Sequence, residues 1–215
     1  VPENDTPITC PEEMRAVANT FCMDVWEASR PDATDEDEGS DDSVALSRPG
    51  VIPWTAGIYG NPLEFNEIAA AGCAAAGKRL CTEAQWTYAC KGNGDRGYVY
   101  GDTYVPETCS GPDAPGVVDL MPMPTGSFPG CVDEWGILDL SGNVYEHVQG
   151  GDGSTVRGGS HKSMDPRLEH RCDFVPATFM PCFCSQGFRC CLTPPAPDPE
   201  AADAATSGDA DGDLR

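Results

Sequence analysis

Twelve cysteines in a chain of 215 residues are the feature that most limits how this sequence can fold. Their number is even, they are spread through the chain, and no CxxC pair stands at zinc-finger spacing from a second pair. Such a set favours disulfides formed in an oxidising compartment. The sequence therefore predicts a disulfide-stabilised protein that is secreted or periplasmic. Its start at Val1 rather than Met is what the processing of an export signal would leave.

The composition predicts one globular domain with many loops. A chain of this length with 40% hydrophobic residues can form a single sizeable core. Its 24 glycines and 20 prolines favour turns over long regular elements, because proline lacks a backbone donor and glycine loses much entropy when it is ordered. We expect a loop-rich α+β fold over residues 1–192.

The charge excludes several classes of partner. The formal net charge is −22, a balance that repels phosphate backbones and anionic lipid surfaces, so nucleic-acid binding is not expected. No apolar stretch approaches the roughly 20 residues that span a bilayer. The run from Asp32 to Asp42 carries seven acids and no base. We expect an acidic insertion at about 31–44 and an acidic, Pro/Ala-rich tail at 193–215, both solvated and disordered.

Two helices are predicted near the middle of the chain. The Ala-rich segment from Leu63 to Lys78 has apolar residues close to helical spacing and ends at a glycine. A second helix should start at Thr82, where Thr82 and Gln85 form a capping box, and stop at Gly92. Short extended segments are expected further on, at Tyr98–Tyr100, Val156–Arg157 and Gly187–Leu192.

Several segments in order resemble the formylglycine-generating enzyme, or sulfatase-modifying factor, family. They are GKRLCTEAQWTYACKG (77–92), YVYGD (98–102), GSFPGCVDEWGILDLSGNVYEHV (126–148), VRGGS (156–160) and QGFRC (186–190). The resemblance implies that family's compact α+β fold, which is similar to C-type lectin domains. It also implies two disulfides, Cys73–Cys190 and Cys90–Cys172. The other cysteines stay unassigned, because eight of them allow 105 pairings; they are Cys10, Cys22, Cys81, Cys109, Cys131, Cys182, Cys184 and Cys191.

The sequence departs from the family at the two positions that bind its catalytic metal. In active members, two cysteines after the GGS motif bind copper(I), which selects thiolates. Here the stretch GGSHKSMDPRLEHR places Ser163 and Arg167 at those positions. A hydroxyl is a hard, protonated group at neutral pH and cannot replace a thiolate, so copper is not expected.

Two other groups of residues are candidate sites. The resemblance places a structural calcium at the turn DLSGNVYE, where Asp139, Asn143 and Glu146 would supply oxygen ligands. His161 and His170 flank the missing copper position, although scattered loop histidines are more often ordinary hydrogen-bonded residues.

Three functional hypotheses follow. The first is a noncatalytic module that binds an unknown peptide, protein or glycan in a groove beside GGSHKS. The second is an oxidoreductase with altered chemistry, like the family relatives of pyoverdine maturation, or, less favoured, a true formylglycine-generating oxidase. The third is a disulfide-stabilised structural component without a ligand pocket. The candidate catalytic residues for the second hypothesis are His161, Ser163, Arg167 and His170.

Overall fold

The structure is a computed structural model of the chain. It describes residues 7–57, 61–117, 121–150, 155–176 and 183–194. The tail from residue 195 onward lies outside the described residues. No helix in the described ranges is both long enough and apolar enough to cross a bilayer.

The two predicted helices are present. Helix α1 (Pro62–Ala75) is capped by Asn61, whose side chain accepts a hydrogen bond from the Leu63 amide. Helix α2 (Glu83–Lys91) has the full capping box between Thr82 and Gln85. It ends at Gly92, which has a positive φ of 63° that favours glycine. Both helices therefore begin and end within a few residues of the predicted positions.

A four-stranded antiparallel sheet joins the two ends of the described chain. It contains β1 (Met14–Val17), β2 (Phe21–Asp24), β5 (Arg79–Leu80) and β9 (Cys190–Leu192), in the order β1-β2-β9-β5. The last strand thus lies between a strand from the N-terminal segment and one from the middle of the sequence. The N-terminal segment is part of the core, with Met14, Val17 and Phe21 buried.

Two smaller sheets complete the fold. Strands β3 (Ala28–Ser29) and β4 (Leu46–Ser47) form a short antiparallel pair. Strand β6 (Tyr145–His147) lies between β7 (Val156–Arg157), which is antiparallel to it, and β8 (Gln186–Phe188), which is parallel. A short helix, α3 (Pro166–Glu169), follows β7.

The predicted extended segments differ in two places. Residues 98–100 form only an isolated bridge, between Tyr98 and Gly101. The predicted strand at 187–192 is divided into β8 and β9 at Arg189. The division lets the chain leave one sheet for the other, and the Arg189 side chain is completely buried.

Five disulfides cross-link the described residues. Two are the pairs that the family resemblance implies, Cys73–Cys190 and Cys90–Cys172. The other three join cysteines that sequence reasoning left unassigned: Cys10–Cys22, Cys81–Cys191 and Cys109–Cys131. No described cysteine is a free thiol, and Cys182 lies outside the described residues. Because Cys190 and Cys191 are adjacent, β9 is fastened to α1 and to the start of α2.

The acidic insertion has a defined structure, contrary to the expectation of disorder. The Asp32 carboxylate accepts hydrogen bonds from the Ser40 and Asp41 amides. Glu38 accepts from the amide and hydroxyl of Thr55, at 2.9 and 2.8 Å, and pairs with Arg30. Ser40 and Asp41 belong to the run itself, whereas Thr55 and Arg30 lie outside it, so its composition alone did not predict an ordered loop.

Candidate functional site

The GGS turn brings the candidate residues together. Strand β7 leads into Gly158 and Gly159, both with positive φ, at 89° and 72°. A Cβ atom on Gly158 would lie 2.7 Å from the Leu140 carbonyl oxygen, and one on Gly159 would lie 2.4 Å from the His170 ring. Only glycine fits at either position. The turn can therefore pack directly against the core.

Three of the four candidate catalytic residues meet around Ser160. The Ser163 hydroxyl accepts a hydrogen bond from the Ser160 amide at 3.0 Å. The His170 Nε2 atom lies 3.2 Å from the Ser160 carbonyl oxygen, and the His161 Nδ1 atom lies 2.8 Å from that of Asn143. Because a carbonyl only accepts, each of these ring nitrogens is a donor. All three side chains are buried, and burial lowers the pKa of His170.

A buried tyrosine and a glutamate hold the segment that follows. The Tyr145 hydroxyl donates to the Glu169 carboxylate and lies 3.5 Å from the Ser163 oxygen. The second Glu169 oxygen accepts from the Asp165 amide at 3.0 Å. Burial raises the pKa of Tyr145, and the Glu169 hydrogen bond raises it further, so the phenol is protonated at neutral pH. The network fixes the segment from Ser160 to His170.

Exposed apolar side chains lie within this segment and shortly after it. The Met164 side chain is 87% exposed, Leu168 is 51% exposed and Val175 is 55% exposed. Arg167, the fourth candidate, is also exposed; its backbone carbonyl accepts from the Tyr98 hydroxyl, and its backbone amide donates to the Asp165 side chain at 3.1 Å. Arg167 therefore does not converge with His161, Ser163 and His170. The Cys90–Cys172 disulfide fastens the end of the segment to α2.

The predicted calcium residues lie in a buried ionic network. The Glu146 carboxylate is held by the Arg189 guanidinium and by the Trp86 indole N–H, which donates at 2.7 Å. The Asn143 amide donates to Glu27 at 2.6 Å, and Asp139 accepts from the Gly126 amide at 2.7 Å.

Sequence reasoning missed Glu27 and Arg189 as members of this network. Arg189 lies within the QGFRC motif, which was a signal for its importance. Glu27 stands alone between apolar residues of the N-terminal segment and gave no signal.

In this arrangement, the side chains that would bind calcium already have partners within the protein. Calcium needs several oxygen ligands around one open position, whereas a guanidinium occupies the space next to Glu146 and the Asn143 side chain is bonded within the protein. Among the residues that the structure describes, no three His, Cys, Asp or Glu side chains are grouped to hold a metal. Calcium binding by Asp139, Asn143 and Glu146 stays a prediction, which a calcium titration of the folded protein would test.

The chain belongs to the sulfatase-modifying factor family. Residues 64–193 match the family described as "Sulfatase-modifying factor enzyme 1-like domain", which is more than half of the chain. The matched region contains all of α1 except its first two residues, all of α2 and the whole Ser160–His170 segment. No curated protein sequence matches the chain significantly.

Solved structures with the same fold include proteins of different kinds. The Major Tropism Determinant P3c variant is 15% identical, with a TM-score of 0.53 over 87% of this chain and 54% of its own, so the chain spans about half of that protein. PvdO from Pseudomonas aeruginosa is 18% identical, with a TM-score of 0.52 over 82% of each chain. Treponema denticola variable protein 1 is 14% identical, with a TM-score of 0.53 over 81% of this chain and 84% of its own. At these identities the likeness shows the fold alone: a loop-rich α+β domain of the C-type-lectin-like kind.

Proposed function

We propose that this chain is a noncatalytic binding module, and that it binds a polypeptide on the exposed face of residues 161–175. One observation carries the proposal. The side chains in this region that could take part in a reaction are buried and hydrogen-bonded within the protein, whereas Met164, Leu168 and Val175 face solvent.

The buried groups are poorly placed for catalysis. The Ser163 hydroxyl takes the place of a copper-binding cysteine but is 2% exposed and bonded to its own turn. The two histidine rings donate to backbone carbonyls, and the Tyr145 phenol is protonated beside Glu169. These groups position the segment and leave no reactive atom pointing at a substrate.

The exposed face suggests the chemistry of its partner. Exposed apolar side chains on a rigid segment can fill pockets of a partner without a large loss of conformational entropy. Lys162 and Arg167 form no ion pair with any other described residue, while the acids nearest to them, Asp165 and Glu169, accept hydrogen bonds within the segment. Residues 161–175 carry three bases and three acids, so on a protein with a net charge of −22 this face is locally neutral and apolar, with two bases that have no ion-pair partner among the described residues. It fits a polypeptide that carries both acidic and apolar side chains.

The disulfides support an oxidising location for this module. Five disulfides link the described residues, and such cross-links form and persist outside reducing compartments. We therefore place the module in a secreted or periplasmic setting.

A peptide-display selection on the oxidised protein tests the binding face. We expect enriched peptides to combine acidic and apolar residues. Their affinity should fall by about tenfold or more in the double variant Met164→Ser/Leu168→Ser, because two apolar contacts are lost. Ile68→Ser on α1 is the matched control, since Ile68 is also an exposed apolar residue, at 42%. Peptides that bind all three proteins equally would place the binding surface elsewhere.

A second measurement tests the absence of catalysis. The oxidised protein is treated with copper(I) and incubated with oxygen and a cysteine-containing peptide, and the peptide is followed by mass spectrometry. We expect no conversion of the cysteine to formylglycine beyond that in the same mixture without protein, because thiolates are needed to hold copper(I) and Ser163 is not one. Formylglycine formed only when the protein is present would overturn the noncatalytic proposal and favour the oxidoreductase hypothesis.

A further inference from the structure

An open cleft lies on the outer side of α2, away from the GGS turn. It has a volume of about 830 Å³, within the range of roughly 300–1,000 Å³ that small-molecule sites occupy. One wall is the exposed face of α2, with Thr87, Tyr88 and Lys91. The lining also includes Asn93 and Asp95, in the turn after the helix, and Gln149, whose carbonyl accepts from the Glu83 amide at the start of α2. No residue of the segment 161–175 lines this cleft.

The aromatic side chain in the cleft is fixed in place. The Tyr88 ring stacks on Trp135, with ring centroids 5.8 Å apart and an angle of 29° between the planes. Its hydroxyl donates to the Asn93 side-chain oxygen at 2.7 Å. The Asn93 backbone amide in turn donates to the Glu134 carboxylate at 2.9 Å. An aromatic surface that is held on two sides costs little entropy when a ligand packs against it.

The charged side chains of the described lining are all paired. Lys91 pairs with Asp95 at 2.9 Å, and Glu83 pairs with Arg157, which lies outside the lining. The other polar side chains of the described lining are hydroxyl and amide groups, those of Thr82, Thr87, Asn93 and Gln149. With one base against two acids, on a protein of charge −22, this lining offers no excess cation for an anionic ligand.

We infer that this cleft binds a neutral saccharide. A sugar ring presents an apolar C–H face, which can pack on the Tyr88 ring, and an edge of hydroxyl groups that both donate and accept hydrogen bonds. The Asn93 amide and the Lys91–Asp95 pair supply acceptors and donors next to that ring. The saccharide can be a free oligosaccharide or the glycan of a glycoprotein, because both present the same rings.

The test is an array of immobilised oligosaccharides, both neutral and acidic, followed by titration of the free neutral sugars and of a neutral N-glycopeptide by NMR. We expect neutral sugars to bind. Tighter binding of the free sugar would indicate a free oligosaccharide as the ligand, and tighter binding of the glycopeptide would indicate the glycan of a glycoprotein. Tyr88→Leu should weaken binding by about tenfold, because it removes the aromatic face. Asn93→Ala, at an exposed position, should weaken it without disturbing the fold. Ile68→Ser on α1, outside the cleft, should leave sugar binding unchanged.

Three results would overturn the inference: no neutral sugar binds at millimolar concentration, acidic sugars bind better than neutral ones, or the Asn93→Ala protein binds as tightly as the wild type. The peptide-binding proposal is unaffected by each of them, because it depends on residues outside the cleft.

Discussion

Arg189 shows how strongly a single buried side chain can constrain this fold. Its guanidinium donates to Glu146 from two nitrogens and to the backbone carbonyls of Asp24, Val25 and Leu138. It thereby links the N-terminal segment, the 126–148 region and the last two strands. Two further buried carboxyls, Glu27 and Asp139, lie close enough for their charges to act on it. The Arg189 guanidinium thus faces three buried acids, Glu27, Asp139 and Glu146.

Replacing Arg189 should therefore cost much of the stability. For Arg189→Met we expect a loss of about 3–5 kcal/mol in the free energy of unfolding, because the buried Glu146 carboxylate loses its partner. Urea unfolding measures it. Arg15→Met is the matched control, since Arg15 is exposed and bonds only to backbone carbonyls.

If the single variant does not fold, the double variant Arg189→Met/Glu146→Gln decides the question, because a neutral amide removes the unpaired charge. Recovery of folding supports the ionic explanation. An Arg189→Met protein within about 1 kcal/mol of the wild type would refute it.

At the scale of elements, local signals predicted the helices well and the strands poorly. The capping box at Thr82 and the glycine at position 92 act within a few residues, so the limits of α2 follow from the sequence. The division of the 187–192 segment at Arg189 depends on Glu146, far away in the sequence, and on two different sheets. The same limit applied to the candidate site: the sequence identified His161, Ser163 and His170, but their burial depends on Asn143 and Tyr145.

The Cys90–Cys172 disulfide fixes the end of the proposed binding segment to α2. Its removal in Cys90→Ala/Cys172→Ala should lower the free energy of unfolding by about 2–5 kcal/mol, because it closes a long loop, with a sequence separation of 82. Hydrogen exchange should become faster in residues 161–171 than in α1, and peptide affinity should fall with it.

The control for this variant is Cys10→Ala/Cys22→Ala, which opens a loop with a separation of only 12 and should cost less. Uniformly faster exchange through the whole domain would show that the disulfide stabilises the fold in general rather than the binding segment.

At the scale of the whole molecule, buried acids make stability depend on pH. Burial raises the pKa of Asp139 from 3.8 to about 6, and burial likewise raises that of Asp133 to about 6. The folded protein then holds these protons more tightly than the unfolded chain does. Their contribution to stability is therefore present at low pH and is lost as the pH rises from about 4 through 6.

We expect a higher melting temperature at about pH 5 than at about pH 7.5. A single such carboxyl should supply about 1–1.5 kcal/mol of this difference in stability, because part of its contribution is already lost at pH 5. Asp139→Asn should reduce this dependence. Asparagine also tolerates the positive φ of 61° at that position. Asp35→Asn, at an exposed position, is the control and should leave the pH dependence unchanged. A melting temperature that rises steadily from pH 5 to pH 7.5 would contradict the expectation.

The order of the main sheet has a consequence for synthesis. Strand β9 lies between β2 and β5, and it begins at residue 190. A chain that leaves the ribosome or a secretion channel from its N-terminus therefore has two unpaired strand edges until nearly all of the domain has emerged. The cysteine partners of α1 and of the start of α2 arrive at the same late moment. A premature stop before residue 190 should thus yield an aggregation-prone chain with exposed edges instead of a smaller folded unit.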